Sequence, residues 1–248
     1  MNFFKTLFKT APKLPPIDLS ILGTDVHSHL IPAIDDGSKS LDDSIAMLKK
    51  FASLGYKKVI TTPHVMSDFY RNSPETILGG LETVKAELNK QGITIEMEAA
   101  AEYYLEFHLS DLIKEKNVLT FGDNYVLFEL SFSQEQPNVN EIVFELITEG
   151  YKPILAHVER YSFYNNDWKR IEEYRDRGVL LQMNLLSLTG HYGPQVKRMA
   201  EQLIDRDWID LIGSDCHHFH HLELIDQMRT NPYLHKIAAK ENLLNKSL

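Results

Sequence analysis

The chain has 248 residues, of which 43% are hydrophobic and 25% are charged. These proportions are ordinary for a globular protein and exclude a disordered chain, and the length suits one domain or two. The formal net charge of −9 argues against a nucleic-acid partner, because neutralising phosphates needs a basic face. Cys216 is the one cysteine, which excludes a disulfide framework and a cysteine-rich zinc module.

Residues 1–20 differ in composition from the rest of the chain. Their apolar residues fall at helical spacing beside lysines, and Pro12, Pro15 and Pro16 stop any helix. Two interpretations stay open: a tail outside the folded domain, or a short basic amphipathic anchor for a membrane surface or a partner. Residues 21–248 are expected to form the domain. Because no apolar run could span a bilayer, we expect a cytoplasmic protein, in which this tail is the one candidate for contact with the inner membrane face.

From Gly23 onward, short β-branched runs alternate with helical segments. The predicted strands are Thr24–Val26, Lys58–Thr61, Thr94–Ala99, Tyr125–Glu129, Pro153–Ala156, Leu180–Met183 and Ile209–Gly213. The predicted helices run from Ser40 to Gly55 and Ser73 to Gly92, and over Val139–Glu149, Trp168–Arg177 and Pro194–Asp205. This rhythm predicts an α/β fold with a parallel sheet, and seven units fit a closed, TIM-like (β/α)₇ barrel in a single domain. An open doubly wound sheet is the alternative, because periodicity alone cannot close a barrel.

Histidine and carboxylate residues follow the ends of nearly all the predicted strands. They are His27, His29, His64, Glu102, Glu129, His157, Asp215 and His217. In a barrel these strand ends share one face, where catalytic residues collect. One such residue alone is more often structural, but eight at the same topological position need a compensating cation once they are buried together. The His27–His29 pair is the strongest signal, because positions i and i+2 of an extended segment project to the same side.

The donor set is imidazole and carboxylate, which suits Mn²⁺, Fe²⁺ or Zn²⁺. The candidates are too many for one ion, so we expect two or three divalent ions with bridging carboxylates. Multinuclear sites of this kind activate water and clamp a phosphoryl group, which is the chemistry of phosphoester hydrolysis.

Taken together, the motifs resemble a known superfamily over roughly residues 22–248. DVHSH, IPAIDDGSKS, TTPH, AAAE, FELS, ILAHVERY and IGSDCH resemble the polymerase-and-histidinol-phosphatase (PHP) superfamily, and more narrowly the manganese-dependent tyrosine phosphatases of bacterial capsule and exopolysaccharide gene clusters. The resemblance implies a distorted (β/α)₇ barrel with a trinuclear centre, for which Mn²⁺ is the favoured ion. It also implies a phosphotyrosine protein as partner, namely a bacterial tyrosine kinase with a tyrosine-rich tail, whose dephosphorylation regulates polysaccharide synthesis.

The resemblance also implies roles for individual residues. It assigns His27, His29, Glu102 and Asp215 to one ion, Glu102, Glu129 and His157 to a second, and Asp36, His64 and His217 to a third. Asp36 competes for its role with its neighbour Asp35 in the IDDG turn. Arg160 matches the family's phosphate-binding arginine, with a surface salt bridge to Glu159 or Glu129 as the alternative.

The sequence departs from the family pattern after the IGSDCH motif. Related phosphatases often carry a further arginine there, whereas this chain reads HFHHL and has no arginine before Arg229. His218, His220 and His221 either replace that arginine at the substrate's phosphate or face solvent, and His218 is our first candidate. Arg71 is a second candidate substrate contact and is equally well explained as an ordinary exposed residue.

The implied reaction is in-line attack on phosphorus by a hydroxide that bridges the ions, with Arg160 neutralising the phosphate oxygens and no phosphoenzyme. Cys216 suggests a thiolate phosphatase, but the arginine that mechanism needs six positions later is absent, because position 222 is leucine. A small-molecule phosphatase of histidinol-phosphate type stays open, as does a metal-bound, non-catalytic module that binds a kinase tail. The net charge disfavours a nuclease.

Overall fold

The structure is a computed structural model that describes residues 14–165 and 167–248. Along these ranges helices and strands alternate, as the sequence predicts for an α/β protein. The helices are α1 (Leu41–Ser53), α2 (Pro74–Lys90), α3 (Phe107–Lys114), α4 (Val139–Thr148), α5 (Trp168–Asp176), α6 (Pro194–Asp205), α7 (Phe219–Gln227) and α8 (Pro232–Ala238). The strands are β1 (Lys58–Thr61), β2 (His64–Val65), β3 (Glu96–Ala99), β4 (Glu102–Tyr104), β5 (Tyr125–Glu129), β6 (Lys152–Leu155), β7 (Leu180–Asn184) and β8 (Leu211–Gly213).

All the strand ladders are parallel. One sheet has the order β2-β4-β5-β6-β7-β8, and β1 pairs with β3. The β1–β3 pairing leads directly into the β2–β4 pairing, because the amide of Ala100 donates to the Thr61 carbonyl and the amide of Glu102 donates to the Pro63 carbonyl. The two pairs therefore belong to one curled parallel sheet, which is consistent with a TIM-like fold.

The segment 25–29 contacts both ends of this curled sheet. On the β8 side, the His29 amide donates to the Cys216 carbonyl at 2.9 Å. On the β1 side, the Ile60 amide donates to the Asp25 carbonyl at 2.7 Å. The segment forms only isolated parallel bridges in place of the first predicted strand, because its residues divide their hydrogen bonds between two neighbours.

The helices that the sequence predicted begin where their caps suggested. The side chain of Ser40 accepts from the Asp43 amide at the start of α1, and Ser73 does the same for Thr76 at the start of α2. The sequence analysis missed α3, α7 and α8, which have between seven and nine residues. Helices this short carry too few turns for apolar periodicity to stand out.

Two apolar regions surround the sheet. Its concave side holds a small cluster of Val26, Ile60, Ala100, Phe121, Leu127, Ile154, Ala156 and Leu211. The helices cover the outside and form the larger core. Side chains alternate along a strand, so Leu127 and Glu129 face the same side of β5. The concave side is therefore apolar along the strands and becomes polar at their carboxyl ends.

Residues 17–22 pack against the rest of the protein. Asp18 caps a short 3₁₀-helix, Leu19–Leu22, whose two leucines are fully buried. The predicted domain boundary at residue 20 falls inside this packed segment. The apolar and basic residues that suggested an amphipathic anchor, in segment 1–13, lie outside the described residues. Within the described ranges, no helix has both the length and the apolar character needed to cross a membrane.

Candidate metal centre

The structure brings all nine candidate ligands together at the carboxyl ends of the strands. They form four overlapping groups, and in each group the donor atoms lie within 4.8 Å of one another. The groups are His29, Asp36, His64 and His217; His27, His29 and Asp215; His27, Glu102 and His157; and His64, Glu102 and Glu129. Because several residues belong to two groups, the nine side chains form one continuous cluster.

Two of these residues sit in backbone conformations that β-strands do not use. His157 has a φ of 34° and Asp215 a φ of 50°, both in the left-handed region. For residues with a side chain this conformation costs on the order of 1–3 kcal/mol and is typical of functional sites. In both cases the chain turns sharply just after its strand, β6 or β8, which places the side chain at the cluster.

Glu102 lies at the centre of the cluster. Its Oε2 atom is 3.1 Å from His64 Nδ1, 3.2 Å from His27 Nε2 and 3.5 Å from His29 Nε2. Even so, Glu102 Oε2 and His64 Nδ1 make no hydrogen bond. Buried polar atoms are rarely left unpaired. Imidazole nitrogens and carboxylate oxygens that crowd together without hydrogen bonds fit divalent cations as their missing partners.

Neighbouring acceptors orient three of the imidazoles. The Nδ1 atom of His27 faces Gln182 Oε1 at 3.1 Å, that of His29 faces Asp35 Oδ2 at 2.8 Å, and that of His217 faces the Asp215 carbonyl at 3.0 Å. An acceptor at Nδ1 keeps one ring proton there, so Nε2, which faces the cluster, is the nitrogen that can exchange its proton for a cation. This is the arrangement that metal-ligating histidines use.

Asp35 and Asp36 have different positions, which the sequence alone could not separate. Asp36 Oδ1 lies 3.4 Å from His217 Nε2 and 3.5 Å from His64 Nε2, within the cluster. Asp35 lies behind it, bonded to His29, and also accepts the backbone amide of His64 at 3.1 Å. Asp36 is therefore the candidate ligand of the pair, and Asp35 orients the residues around it.

The two carboxylate oxygens of Asp215 face different groups. Oδ1 lies 3.5 Å from His29 Nε2, on the cluster side. Oδ2 accepts hydrogen bonds from the side-chain Nδ2 of Asn184 at 2.6 Å, from Arg160 Nη1 at 3.0 Å and from the Tyr192 hydroxyl at 3.3 Å. One oxygen is thus available to a cation while the other is held by three donors.

Imidazoles keep the buried carboxylates ionised. Burial by itself would raise the pKa of Glu102, but the charges of His27 and His64 outweigh it and hold that pKa well below its usual range. The pKa of Asp215 is lowered in the same way, against burial, chiefly by His27. A hydrogen bond from His217 lowers the pKa of Asp36 to about 2. The cluster therefore offers charged carboxylates to a cation at neutral pH.

A cavity of about 180 Å³ opens over the cluster. Besides seven of the candidate ligands, it is lined by Phe132, Arg160, Tyr192 and His221. The Arg160 guanidinium carbon lies 4.6 Å from the centre of the Phe132 ring and 4.2 Å from that of Tyr192. Arg160 is thus held between two aromatic rings, and its ion pair is with Asp215 rather than with either of the glutamates considered from the sequence.

The other two candidate substrate contacts lie elsewhere. Arg71 lines a separate cavity of about 430 Å³ and donates from Nε to the Ser67 carbonyl. His218 is exposed and lines a third cavity of about 270 Å³. Among the histidines after Cys216, it is His221 that joins His217 in lining the cavity over the cluster. The Nδ1 atom of His221 faces the backbone amide of His217 at 3.3 Å, which leaves its Nε2 as the protonated nitrogen.

Sequence reasoning also missed Gln182 and Asn184 on β7. Gln182 Oε1 accepts from the His157 amide at 2.8 Å, and Gln182 Nε2 donates to Asn184 Oδ1 at 2.9 Å. The signal was present, because two amide side chains stand at positions i and i+2 of an otherwise apolar strand. Phe132 and Tyr192 carry no comparable signal, since Phe132 lies just outside the FELS motif and Tyr192 lies in a loop with no motif around it.

Cys216 does not line the cavity over the cluster. Its side chain is fully buried, with Sγ 3.6 Å from Met47 Sδ. Burial raises the pKa of the thiol well above its usual range. The residue is a packed neutral thiol, so the geometry offers no thiolate nucleophile.

Buried imidazoles and carboxylates at the carboxyl end of a curled parallel sheet, with an arginine at the cavity above them, define the class of metal-dependent hydrolases. A family model described as "Capsular polysaccharide synthesis, CpsB/CapC" matches residues 23–237. The chain belongs to this CpsB/CapC family, which confirms the resemblance drawn from its motifs.

Individual relatives agree with the family match. The chain is 26% identical over 194 residues to "Tyrosine-protein phosphatase YwqE" of Bacillus subtilis (strain 168), covering 78% of this chain and 76% of the relative. It is 29% identical over 196 residues to "Putative tyrosine-protein phosphatase CapC" of Staphylococcus aureus, with coverage of 78% and 76%. A solved structure described as one of "YwqE from Bacillus subtilis and CpsB from Streptococcus pneumoniae, unique metal-dependent tyrosine phosphatases" matches with a TM-score of 0.80, at 25% identity over 89% of each chain.

Proposed function

We propose that this protein is a metal-dependent protein-tyrosine phosphatase that acts on a bacterial tyrosine kinase and thereby regulates capsular or exopolysaccharide synthesis. The observation that carries the proposal is the continuous imidazole–carboxylate cluster beneath a cavity that holds Arg160. The names of the relatives supply the substrate class, since YwqE and CapC are both called tyrosine-protein phosphatases.

The proposal includes two or three divalent ions, with Mn²⁺ as the favoured one. Their ligand sets are those implied by the family resemblance: His27, His29, Glu102 and Asp215; Glu102, Glu129 and His157; and Asp36, His64 and His217. The overlapping groups in the structure support these sets. Divalent ions bound there would neutralise phosphate charge and lower the pKa of a water from 15.7 to about 7.

The chain's own residues bind and orient the phosphate. Arg160 presents a planar guanidinium, which suits two phosphate oxygens better than a lysine would. Phe132 and Tyr192 fix the plane of that guanidinium. His221 can donate from Nε2, and burial lowers the pKa of its imidazole to about 4, so it acts as a neutral donor. We favour His221 over His218 as the residue that replaces the arginine absent from this region.

The leaving group supports the choice of phosphotyrosine. A tyrosine phenolate, whose ordinary pKa is about 10, leaves more readily than a serine alkoxide. The reaction therefore depends less on a strong general acid.

The proposal extends to the fold and the location. We propose a distorted (β/α)₇ barrel of the PHP type, supported by the hydrogen bonds that the segment 25–29 makes to both ends of the sheet. The packed residues 17–22 support a domain that begins a few residues before the predicted boundary at residue 20. A cytoplasmic location suits an enzyme whose substrate is a bacterial kinase.

The test is phosphate release from a phosphotyrosine peptide by protein that has been stripped of metal and reloaded with Mn²⁺. Histidinol phosphate is run beside the peptide, and His27→Ala is the control variant. We expect release from the peptide that depends on Mn²⁺ and is lost in the variant. Release of phosphate from histidinol phosphate alone would indicate a small-molecule phosphatase of histidinol-phosphate type. Peptide binding without release from either compound would indicate a non-catalytic binding module.

A further inference from the structure

We propose that Phe132 makes the site selective for aromatic phosphoesters, by packing its ring against the aromatic ring of the substrate's leaving group. This inference rests on the proposed phosphatase function and identifies a specificity-determining residue within it.

Phe132 lies between the groups expected to hold the phosphate. Its ring centre is 4.6 Å from the Arg160 guanidinium carbon and 5.5 Å from the ring centre of His157, a candidate metal ligand. Despite these contacts, 45% of the side chain stays exposed. A phosphate bound between Arg160 and the metal cluster would therefore have an exposed aromatic surface beside it.

Phe132 is the best placed apolar group in this cavity. Most of the lining residues are imidazoles, carboxylates or Arg160, and Phe132 and Tyr192 supply the hydrocarbon rings. Both rings contact Arg160, but the Tyr192 hydroxyl also donates to Asp215 and Tyr192 is half-buried, whereas Phe132 is exposed. Among the lining residues of the described chain, this leaves Phe132 to contact an apolar leaving group.

The loop that carries Phe132 is held in place by side-chain hydrogen bonds. The amide of Ser131 donates to Gln136 Oε1 at 3.2 Å, and Gln136 Nε2 donates to the Leu105 carbonyl at 3.1 Å. The Phe132 ring also stacks on Tyr161, with ring centres 5.7 Å apart. A ring that is already ordered loses little conformational entropy when a substrate packs on it.

The chemistry of the substrate explains the selectivity. In an aryl phosphate the ring is bonded directly to the ester oxygen, so a bound phosphate brings that ring to the mouth of the cavity. A phosphoserine ester places only a methylene group there. Packing of two aromatic rings adds a contribution beyond buried area, and an alkyl ester cannot make it.

The experiment measures binding, which separates ring packing from leaving-group chemistry. Benzylphosphonate and ethylphosphonate are not hydrolysed, and their dissociation constants are measured by calorimetry on Mn²⁺-loaded protein. Because the ring also contacts Arg160, selectivity is read from the ratio of the two dissociation constants, and we expect Phe132→Leu to weaken benzylphosphonate about 3- to 10-fold more than ethylphosphonate. Phe132→Tyr keeps the ring and should retain the preference. Phe144→Leu is the matched control, because Phe144 is 69% exposed on α4 and does not line this cavity.

Two results would overturn the selectivity proposal. If Phe132→Leu weakens both phosphonates equally, the ring positions Arg160 and does not select the substrate. If the substitution changes neither constant, the ring makes no contact with the ligand. In both cases the wild-type protein would still release phosphate from a phosphotyrosine peptide, so failure of the selectivity proposal is distinguishable from failure of the proposed function.

Discussion

The candidate metal centre has an inner and an outer half that use the same residue types but differ in burial. The inner half consists of His27, His29, Glu102, Glu129, His157 and Asp215, whose side chains are at most 6% exposed. The outer half consists of Asp36, His64 and His217, whose side chains are 52%, 12% and 16% exposed. The inner half also makes hydrogen bonds to the side chains of Gln182 and Asn184 on β7, whereas solvent reaches the outer half.

This difference indicates how the two halves should hold cations. The inner donors are ordered by neighbours before any ion binds, so little reorganisation is needed there. The outer donors are exposed to solvent, which screens their charge. We therefore expect the outer half to lose its ion first, and substitutions in the two halves to differ in severity.

The largest effect is expected from Glu102→Gln. The substitution keeps the shape of the side chain but removes the charge that the inner half shares with His64. We expect kcat/KM for a phosphotyrosine peptide to fall on the order of 10³-fold, together with loss of bound metal. Turnover and metal content are measured on the same preparation. A variant that keeps its full metal content would contradict the central position given to Glu102.

A smaller loss of activity is expected from Arg160→Lys, which tests the arginine at the cavity above the inner half. Lysine keeps the positive charge but loses the planar fork and the contacts with the two aromatic rings. We expect kcat/KM to fall roughly 10²-fold with metal content unchanged. If metal were lost as well, Arg160 would be needed to hold Asp215 and not only the phosphate.

Asn184→Ala tests the support beneath the inner half. It removes the 2.6 Å hydrogen bond to Asp215 Oδ2, the shortest of the three that hold this oxygen, and leaves only Arg160 and Tyr192 to orient it. We expect metal affinity to fall about 10- to 100-fold, as is typical when a residue that orients a ligand is removed. Asn140→Ala removes an amide that bonds to Arg170 and Arg177, away from the cluster, and should leave the affinity unchanged. Equal losses in the two variants would point to general destabilisation.

The smallest effect is expected from Asp36→Asn in the outer half. The side chain is half-exposed, so its charge contributes less to cation binding than a buried one. We expect affinity for one ion to fall about 10-fold, and excess Mn²⁺ to restore activity. A titration that follows each binding step would check this. Loss of the inner ions in this variant would show that the two halves are not separable.

The structure brings the candidate ligands together because of how parallel strands end. Eight of the nine residues follow or end a predicted strand, and this topology brings the strand ends to one face. Asp36 lies in the IDDG turn and was named only through the family resemblance. The sequence analysis failed at β7, where Gln182 and Asn184 are amides, which are not expected metal ligands. It also failed for Phe132 and Tyr192, because their contact with Arg160 arises only from tertiary packing of distant loops.

The limits of the fold prediction have a similar cause. Strand bounds were correct for Lys58–Thr61 and Tyr125–Glu129, and four other predicted strands differ from the observed ones by one or two residues at an end. Thr24–Val26 failed as a strand because its hydrogen bonds go to two different neighbours. Apolar, β-branched composition predicts burial in a sheet and says nothing about how the hydrogen bonds are shared.

The segment 25–29 is the seam at which the curled sheet would open, and it carries both His27 and His29. Asp215 and His217 leave β8 on one side of that seam, and His64 lies at the start of β2 on the other. A cation bound by these residues together would therefore link the first and last parts of the sheet. Cation binding would then also stabilise the hydrogen bonds that the segment 25–29 makes to the two ends of the sheet. When metal is withdrawn, the backbone amides in those hydrogen bonds would be the first to exchange with solvent.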